Sequence, residues 1–488
     1  MKQSTIKIYI KGGILAPVDL KKITHVAMSL GIDHFQFGRR QELIFQTDEE
    51  NVSRFSSSLP TLEMEIDRGE GFTKHNIVSS YLASHIVPGT YWIKDGVFLD
   101  ILDEIEHTPT LRVNITDLKQ DIVYSFTGDL NFVASEEVNR WYVYFRTVND
   151  NNLTFLPFLV YSEDIKNVIS SFEKIYRSDT SLDEIITILQ DQLGSKLIES
   201  KLSPRIKISQ FFNYEGFHKY NDRYWLGIYM RNAQFDLSLL DSLCRLCERN
   251  RIGQLHVTPW KSIVVKDIQE ETITDWKSLL AEHKINNGHS ESELNWQIND
   301  FDENAYDLKA FLRKLIIKND VCTNGVIIGI NNRYKHSFSH IIIQRNIEQS
   351  LWGFSKKESY DLLYRKDFNP TSNEFITFQK NSSLNLLVTQ LNELIESYHQ
   401  KAYIDSTTFN VKSEVSQDVL ANVVKKVQKY VYQCPNCLTT YDAEFGDESQ
   451  FIPPKTPFDE LPNSYICSIC ETEKQHFIKK NKKELETA

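Results

Sequence analysis

Four of the seven cysteines fall in two C-x-x-C pairs, Cys434-Pro-Asn-Cys437 and Cys467-Ser-Ile-Cys470, with 29 residues between them. Two residues between thiols let a tight knuckle aim both sulfurs at one ion, and two facing knuckles give a tetrahedral four-thiolate site. Spacing alone leaves zinc and iron open. The turn-rich segment that carries the pairs, about 50 residues, is too small to stabilise itself without such a staple. The remaining thiols, Cys244, Cys247 and Cys322, are scattered, and an odd count argues against a secreted disulfide framework. Cys244 and Cys247 lie three apart on a helical stripe otherwise made of leucines, so they read as core thiols. No other catalytic constellation stands out: the thirteen histidines include no H-E-x-x-H, and no Walker-type or G-x-G-x-x-G loop occurs.

The elements that must carry this chemistry are organised by an internal repeat. Shifting the sequence by 220 residues lays Ile6 to Ile10 on Leu226 to Met230, Leu20 to Val26 on Leu240 to Leu246, and Phe35 to Phe45 on Leu255 to Val265, without a gap. Each copy alternates apolar and polar residues, then shows helical spacing, then alternates again, which predicts strand, helix, strand, strand. Leu20, Ile23, Val26, Ala27 and Leu30 form one helical stripe; Leu240, Leu243, Leu246 and Cys247 form the other. A longer mixed segment follows each copy. The first has strands within 111–118, 126–135 and 141–146 and helices at about 163–176 and 181–193. The second has strands within 325–330 and 339–344 and a helix at about 384–398. The plan is therefore A, B, A, B. From about 401 to 415 the composition turns to a linker, a short helix is expected at about 417–429, and the last residues read as a solvated tail.

Length and charge bound the rest. A chain of 488 residues predicts about three domains at roughly 150 residues each. A formal charge of -11 argues against nucleic acid as the main partner. Composition is ordinary globular usage, and neither a bilayer-spanning run nor a secretory leader is seen, so the expectation is a cytoplasmic protein that makes no membrane contact.

Over 430–479 the sequence resembles the rubredoxin family, and the likeness goes beyond cysteines. YQCPNCLTTYDAEFGD matches the first rubredoxin knuckle with Tyr441-Asp442 and Gly446-Asp447 after it, and IPPKTPFDELPNSYICSIC supplies Ile452, Pro453, Thr456, Pro457, Phe458, Leu461 and Pro462 before the second. The resemblance implies one iron held by Cys434, Cys437, Cys467 and Cys470, with Tyr430, Tyr432, Tyr441, Phe458, Tyr465 and Phe477 as an aromatic core that keeps water from it. The family commonly places glycine directly after each pair and at the position of Lys455; here Leu438 and Glu471 follow the pairs, so the knuckle backbone must accommodate a Cβ. Asp442, Glu444, Asp447, Glu448, Asp459 and Glu460 read either as a solvated face or as a docking surface for a basic redox partner.

The body, about 5–400, resembles the nitrite and sulfite reductases. GGILAPVDLKKITHVAMSLG followed by FQFGRRQELIF is similar to their ferredoxin-like half domain, with Arg40-Gln41 matching the end of its strand, and Leu255 to Val265 is similar to the other half. In that family basic side chains hold the carboxylates of sirohaem. The resemblance assigns Arg40, Gln41 and Arg112 to a cofactor pocket, with Asn114 where a lysine is expected. The family's [4Fe-4S] cluster needs C-x5-C and C-x3-C pairs, and none of the three cysteines outside the terminal module has either spacing. Such a cluster cannot be built there.

The expected fold is α+β: half domains at 1–70 and 205–285, reductase-like lobes at 71–200 and 286–400, a linker at 401–429 and a rubredoxin-like iron module at 430–479. The expected function is one-electron transfer by that module, between an NAD(P)H-dependent reductase and a nitrite- or sulfite-type reductase, with the degenerate reductase-like body as docking platform or relic haem pocket. Two alternatives stand beside it: an enzyme that reduces nitrite or sulfite on sirohaem without a cluster, and a zinc-stapled binding scaffold.

Overall fold

The computed structural model describes residues 3–87, 92–120, 122–146, 153–175, 182–194, 197–200, 215–287, 293, 295–331, 338–349, 356–404, 430–443, 445–450, 452, 456–462 and 464–481. The helix expected at 417–429, most of the linker and the tail beyond 481 lie outside the described residues. The chain divides into two units, Met1–Ser181 with Ser200–Glu414, and Leu182–Glu199 with Val415–Ala488.

The larger unit opens with β1 (Ser4–Tyr9), β2 (Ile14–Leu15), α1 (Pro17–Ser29), β3 (His34–Phe37), β4 (Glu42–Thr47), α2 (Glu49–Ser58) and β5 (Met64–Asp67). Proline at the first helical position starts α1, since its fixed φ suits a first turn that needs no donor there. Asp48 caps α2 by accepting from the Asn51 N–H. There follow β6 (Val78–Ser79), α3 (Asp95–Glu104), β7 (Val113–Thr116), β8 (Leu130–Ala134), β9 (Arg140–Arg146), β10 (Leu153–Tyr161) and α4 (Ile165–Ile175).

Beyond α5 (Leu182–Leu193), which groups with the smaller unit, the architecture repeats. The second half domain has β11 (Gly216–Tyr220), β12 (Arg223–Tyr229), β13 (Gln234–Asp236), α6 (Leu237–Arg249), β14 (Leu255–Thr258), β15 (Ser262–Ile268) and α7 (Ile273–Glu282). The lobe after it has β16 (Trp296–Gln297), α8 (Glu303–Lys318), β17 (Ile328–Ile330), β18 (Ile341–Gln349), β19 (Lys356–Arg365), β20 (Phe375–Ser382) and α9 (Leu384–Ile404).

The offset of 220 holds to the residue in the structure: α1 and α6 superpose in number, and β1 pairs β4 with Ile6 opposite Phe45 just as β12 pairs β15 with Leu226 opposite Val265. The two sheets run β13-β3-β4-β1-β5 and β11-β12-β15-β14-β2. Each therefore ends on a short strand lent by the other copy. Phe235 of β13 pairs Phe35, and Leu15 of β2 pairs Leu255. The predicted stripes face each other, with Leu20, Ile23 and Ala27 of α1 and Leu240, Leu243 and Cys247 of α6 in a single core. At the rim of that seam, Lys21 meets Glu248 and His25 meets Asp241, each at 2.7 Å.

The lobes are also copies. In β6-β7-β8-β9-β10 the first two pairings are parallel and the next two antiparallel, and β16-β17-β18-β19-β20 repeats that pattern. The expected α+β class with duplicated half domains and lobes is thus observed. In the smaller unit, β21 (Tyr430–Gln433) lies between β22 (Thr440–Tyr441) and β23 (Ile478–Asn481). No helix among the described residues is long and apolar enough to cross a membrane.

Candidate metal centre

β21 delivers Cys434 to the first knuckle, and a turn after Tyr465 delivers Cys467 to the second. The two turns have the same hydrogen bonds. Leu438 N–H donates to the Cys434 carbonyl at 3.0 Å, and Glu471 N–H to the Cys467 carbonyl at 2.9 Å. Cys434 N–H donates to the Thr439 carbonyl at 2.8 Å, and Cys467 N–H to that of Thr472 at 2.7 Å. Both knuckles need a left-handed residue after the second cysteine, and Leu438 (φ 64) and Glu471 (φ 59) adopt it in spite of their Cβ atoms. The substitution of glycine costs strain and leaves the geometry intact. Lys455, Glu444 and Pro453 lie outside the described residues.

All four sulfurs lie within 4.8 Å of one another, with Cys434 to Cys470 and Cys437 to Cys467 both 3.4 Å. For a metal–sulfur bond of about 2.3 Å, tetrahedral ligands stand about 3.8 Å apart, so the set fits one ion. It is the only group of three or more potential metal ligands among the described residues. Cys434 and Cys467 are buried and Cys470 is exposed, so one side of the site reaches the surface. Burial raises the Cys434 thiol, yet hydrogen bonds, among them those from the Cys437 and Asn436 N–H groups, outweigh it and bring it down to about 6. Cys437 is lowered first by the Thr439 hydroxyl. Cys467 moves the other way, burial pushing its thiol up to about 11, so the lowering that favours thiolate ligation is seen at the two cysteines of the first knuckle.

Behind the sulfurs, Tyr441, Phe458, Leu461 and Tyr465 are buried, with Tyr432 and Phe477 packed on them. Tyr432 stacks on Phe458 at 3.8 Å. The aromatic core expected from the sequence is present, Tyr430's side chain lying outside the described residues. Asp447 is half-buried and tied into the module. Its carboxylate accepts from Tyr465, Ser449 and Gln450, and these bonds hold it low although burial works to raise it.

The body holds a second feature, a cavity of about 260 Å³ lined by Lys7, Arg39, Arg40, Arg112, Lys261 and Lys309 and by Glu42, Glu293 and Asp300. Most of these cations are already engaged. Lys261 reaches Asp300 and Lys309 reaches Glu293, each at 2.5 Å; Lys7 lies 3.6 Å from Glu42; and Arg112 grips Asp129 with two nitrogens. Arg40 donates to Asn114 Oδ1 at 2.6 Å and to the carbonyls of Asn76 and Val113. The asparagine that stands where a lysine was expected thus satisfies its neighbour. Arg40 and Arg112 come together at this cavity, while Gln41 does not line it. Its buried amide bonds Ser79 and Val257 instead. Cys244 and Cys247 are buried in the half-domain core, and burial pushes the Cys244 thiol up to about 12. Sequence reasoning did not single out Thr439, Thr472 or Asn436 at the metal centre; only folding brings their polar atoms together.

Comparison with known proteins matches the rubredoxin family at residues 431–477 and the nitrite/sulfite reductase ferredoxin-like half domain at 218–283. The chain is 56% identical over 39 residues to a probable rubredoxin-1 of Methanocaldococcus jannaschii, covering 8% of this chain and 49% of that protein. It is 38% identical over 48 residues to rubredoxin-2 of Chlorobaculum tepidum, covering 10% of this chain and 92% of that one. The chain therefore spans about half the length of the first of these relatives. The solved structure of Mycobacterium tuberculosis NirA protein aligns with a TM-score of 0.63 at 13% identity over 88% of this chain and 85% of that one, a likeness of fold. With sulfur geometry, aromatic core and sequence in agreement over 431–477, the chain belongs to the rubredoxin family through this module, which is joined to a body of the nitrite/sulfite reductase fold.

Proposed function

We propose that the protein is a one-electron carrier. Cys434, Cys437, Cys467 and Cys470 would hold a single iron, which would supply one-electron Fe(III)/Fe(II) chemistry when bound. The observation that carries this reading is the convergence of four sulfurs on one side of a packed aromatic core. The chain's own part is to hold the thiolates in a fixed set, so that little rearranges when charge arrives. Tyr441, Phe458 and Tyr465 exclude water behind the sulfurs, and the exposed Cys470 offers a short route to a partner. In this reading an NAD(P)H-dependent reductase supplies the electron, a nitrite- or sulfite-type reductase takes it, and the body, divided at the boundaries expected from the sequence, is the platform on which they dock.

A sirohaem enzyme is the second reading, favoured by the cation-lined cavity. The residues there do not fit that group. An octacarboxylate needs several free cations, whereas four of the six hold protein carboxylates and Arg40 holds three protein oxygens.

Metal analysis and the visible spectrum of aerobically purified protein test the proposal. One iron per chain with sulfur-to-iron charge-transfer bands that bleach on uptake of one electron is expected. A colourless, redox-silent zinc protein overturns it, and macrocycle absorption replaces it with the enzyme.

A further inference from the structure

Two hydroxyls reach into the sulfur set from related positions. Thr439 stands two residues after Cys437 and Thr472 two residues after Cys470. Their hydroxyl oxygens lie 3.2 Å from Cys437 Sγ and 3.0 Å from Cys470 Sγ. Each threonine is fixed at its other end as well, because its carbonyl accepts from the first cysteine of the same knuckle. The hydroxyl therefore has little freedom to leave the sulfur.

Thr472 has a further constraint. Asn436, between the cysteines of the opposite knuckle, donates its Nδ2 hydrogen to Thr472 Oγ1 at 2.9 Å. A hydroxyl carries one hydrogen, and a metal-bound thiolate carries none. With the oxygen accepting from Asn436, the Thr472 hydrogen points at sulfur, and with the residue 9% exposed, water competes poorly for it. Thr439 has the same sulfur contact, is partly exposed and has no such orienting amide among the described residues.

We propose that Thr439 and Thr472 are hydrogen-bond donors to the iron-bound thiolates that raise the reduction potential of the centre, with Asn436 positioning the Thr472 hydroxyl. The inference rests on the iron reading above. One electron converts Fe(III) to Fe(II), the four thiolates remain bound and no proton is transferred, so the set gains one negative charge that is largely shared by the sulfurs. A donor aimed at sulfur stabilises the more negative form more. The donors that close the knuckles are backbone N–H groups, which substitution cannot remove; these two hydroxyls are side-chain groups and can be deleted without changing shape.

The test is the midpoint potential and charge-transfer spectrum of the full-length iron protein in the variants Thr439→Val, Thr472→Val, their double, Thr472→Ser and Asn436→Ala. Both valine variants should shift the potential downward, Thr472→Val by more, and the double by about the sum. The sulfur-to-iron bands should move to lower energy, because an undonated sulfur holds its electrons less tightly. Thr472→Ser should restore both readouts. Asn436→Ala should shift the potential less than Thr472→Val and add nothing in the Thr472→Val background. Iron-loaded valine variants that keep the parent potential overturn this proposal alone, while a parent that binds only zinc overturns the carrier reading and this proposal with it. If a valine variant fails to load iron, the Asn436→Ala potential still decides: a downward shift supports the proposal and the parent value overturns it.

Discussion

The side-chain amide of Gln41 donates to the carbonyl of Val257 at 2.9 Å, joining residues 216 apart in sequence and belonging to different copies of the half domain. The same amide donates to the Ser79 carbonyl and accepts the Ser79 N–H, so one side chain satisfies three backbone groups at a junction of both copies and the first lobe. Gly13, at φ 76, leaves the space it needs, since a Cβ there would collide with the Gln41 amide and the Val257 carbonyl. Gln41→Ala should strand these buried groups and cost roughly 2–4 kcal/mol. Chemical denaturation is expected to show a lower midpoint for the body, with the visible spectrum of the terminal module unchanged.

Glu65 gives the body an acid-sensitive contact. Burial works to raise its carboxyl, but hydrogen bonds from the Thr73 hydroxyl, Tyr9 hydroxyl and the Thr73 and Lys74 N–H groups outweigh it and pull it down to about 2. The folded value lies below the unfolded one of about 4.3, so the stabilisation is full above that pH and is lost as the pH falls toward about 2. Glu65→Gln should be less stable than the parent at neutral pH. Urea titrations at a series of pH values should show the difference closing between about pH 5 and pH 2.

Leu438 and Glu471 hold left-handed backbone that glycine adopts freely. Leu438→Gly and Glu471→Gly should each relieve about 1 kcal/mol of strain in the folded module, partly offset by the freer unfolded chain. The measurement is metal release to a chelator, which should slow in each variant and slow further in the double. Faster release would mean that the side chains shield the sulfurs more than they strain the turn.

Removal of the metal should unfold the terminal module and spare the body. The module's buried cluster comprises Tyr441, Phe458, Leu461 and Tyr465, a core too small to hold about 50 residues without its staple. Cys467→Ser is expected to abolish metal binding and the near-ultraviolet dichroism of these rings, while the denaturation midpoint of the body stays at the parent value.

The duplication was legible because repeated apolar positions survive where identities do not: Ile23 and Leu243, or Phe45 and Val265, are alike buried with different shapes. The metal ligands were legible because knuckle spacing is local. What sequence could not convey lies between distant segments. The lent strands β2 and β13 are two and three residues long, too short for any periodicity. Arg112 reads as a free cation until the fold sets Asp129 beside it, and Arg40 until Asn114 meets it. The hydroxyls of Thr439 and Thr472 look like ordinary turn residues until their sulfur neighbours are in place.

The reciprocal loan of β2 and β13 has a consequence for engineering. An isolated copy would present a bare sheet edge and an uncovered helix, so a protein cut between the copies should recover its structure only when both fragments are mixed. This is the arrangement of a two-fold dimer with exchanged arms, carried here within one polypeptide. Any attempt to shorten the molecule to a single repeat must first supply a substitute for the missing arm.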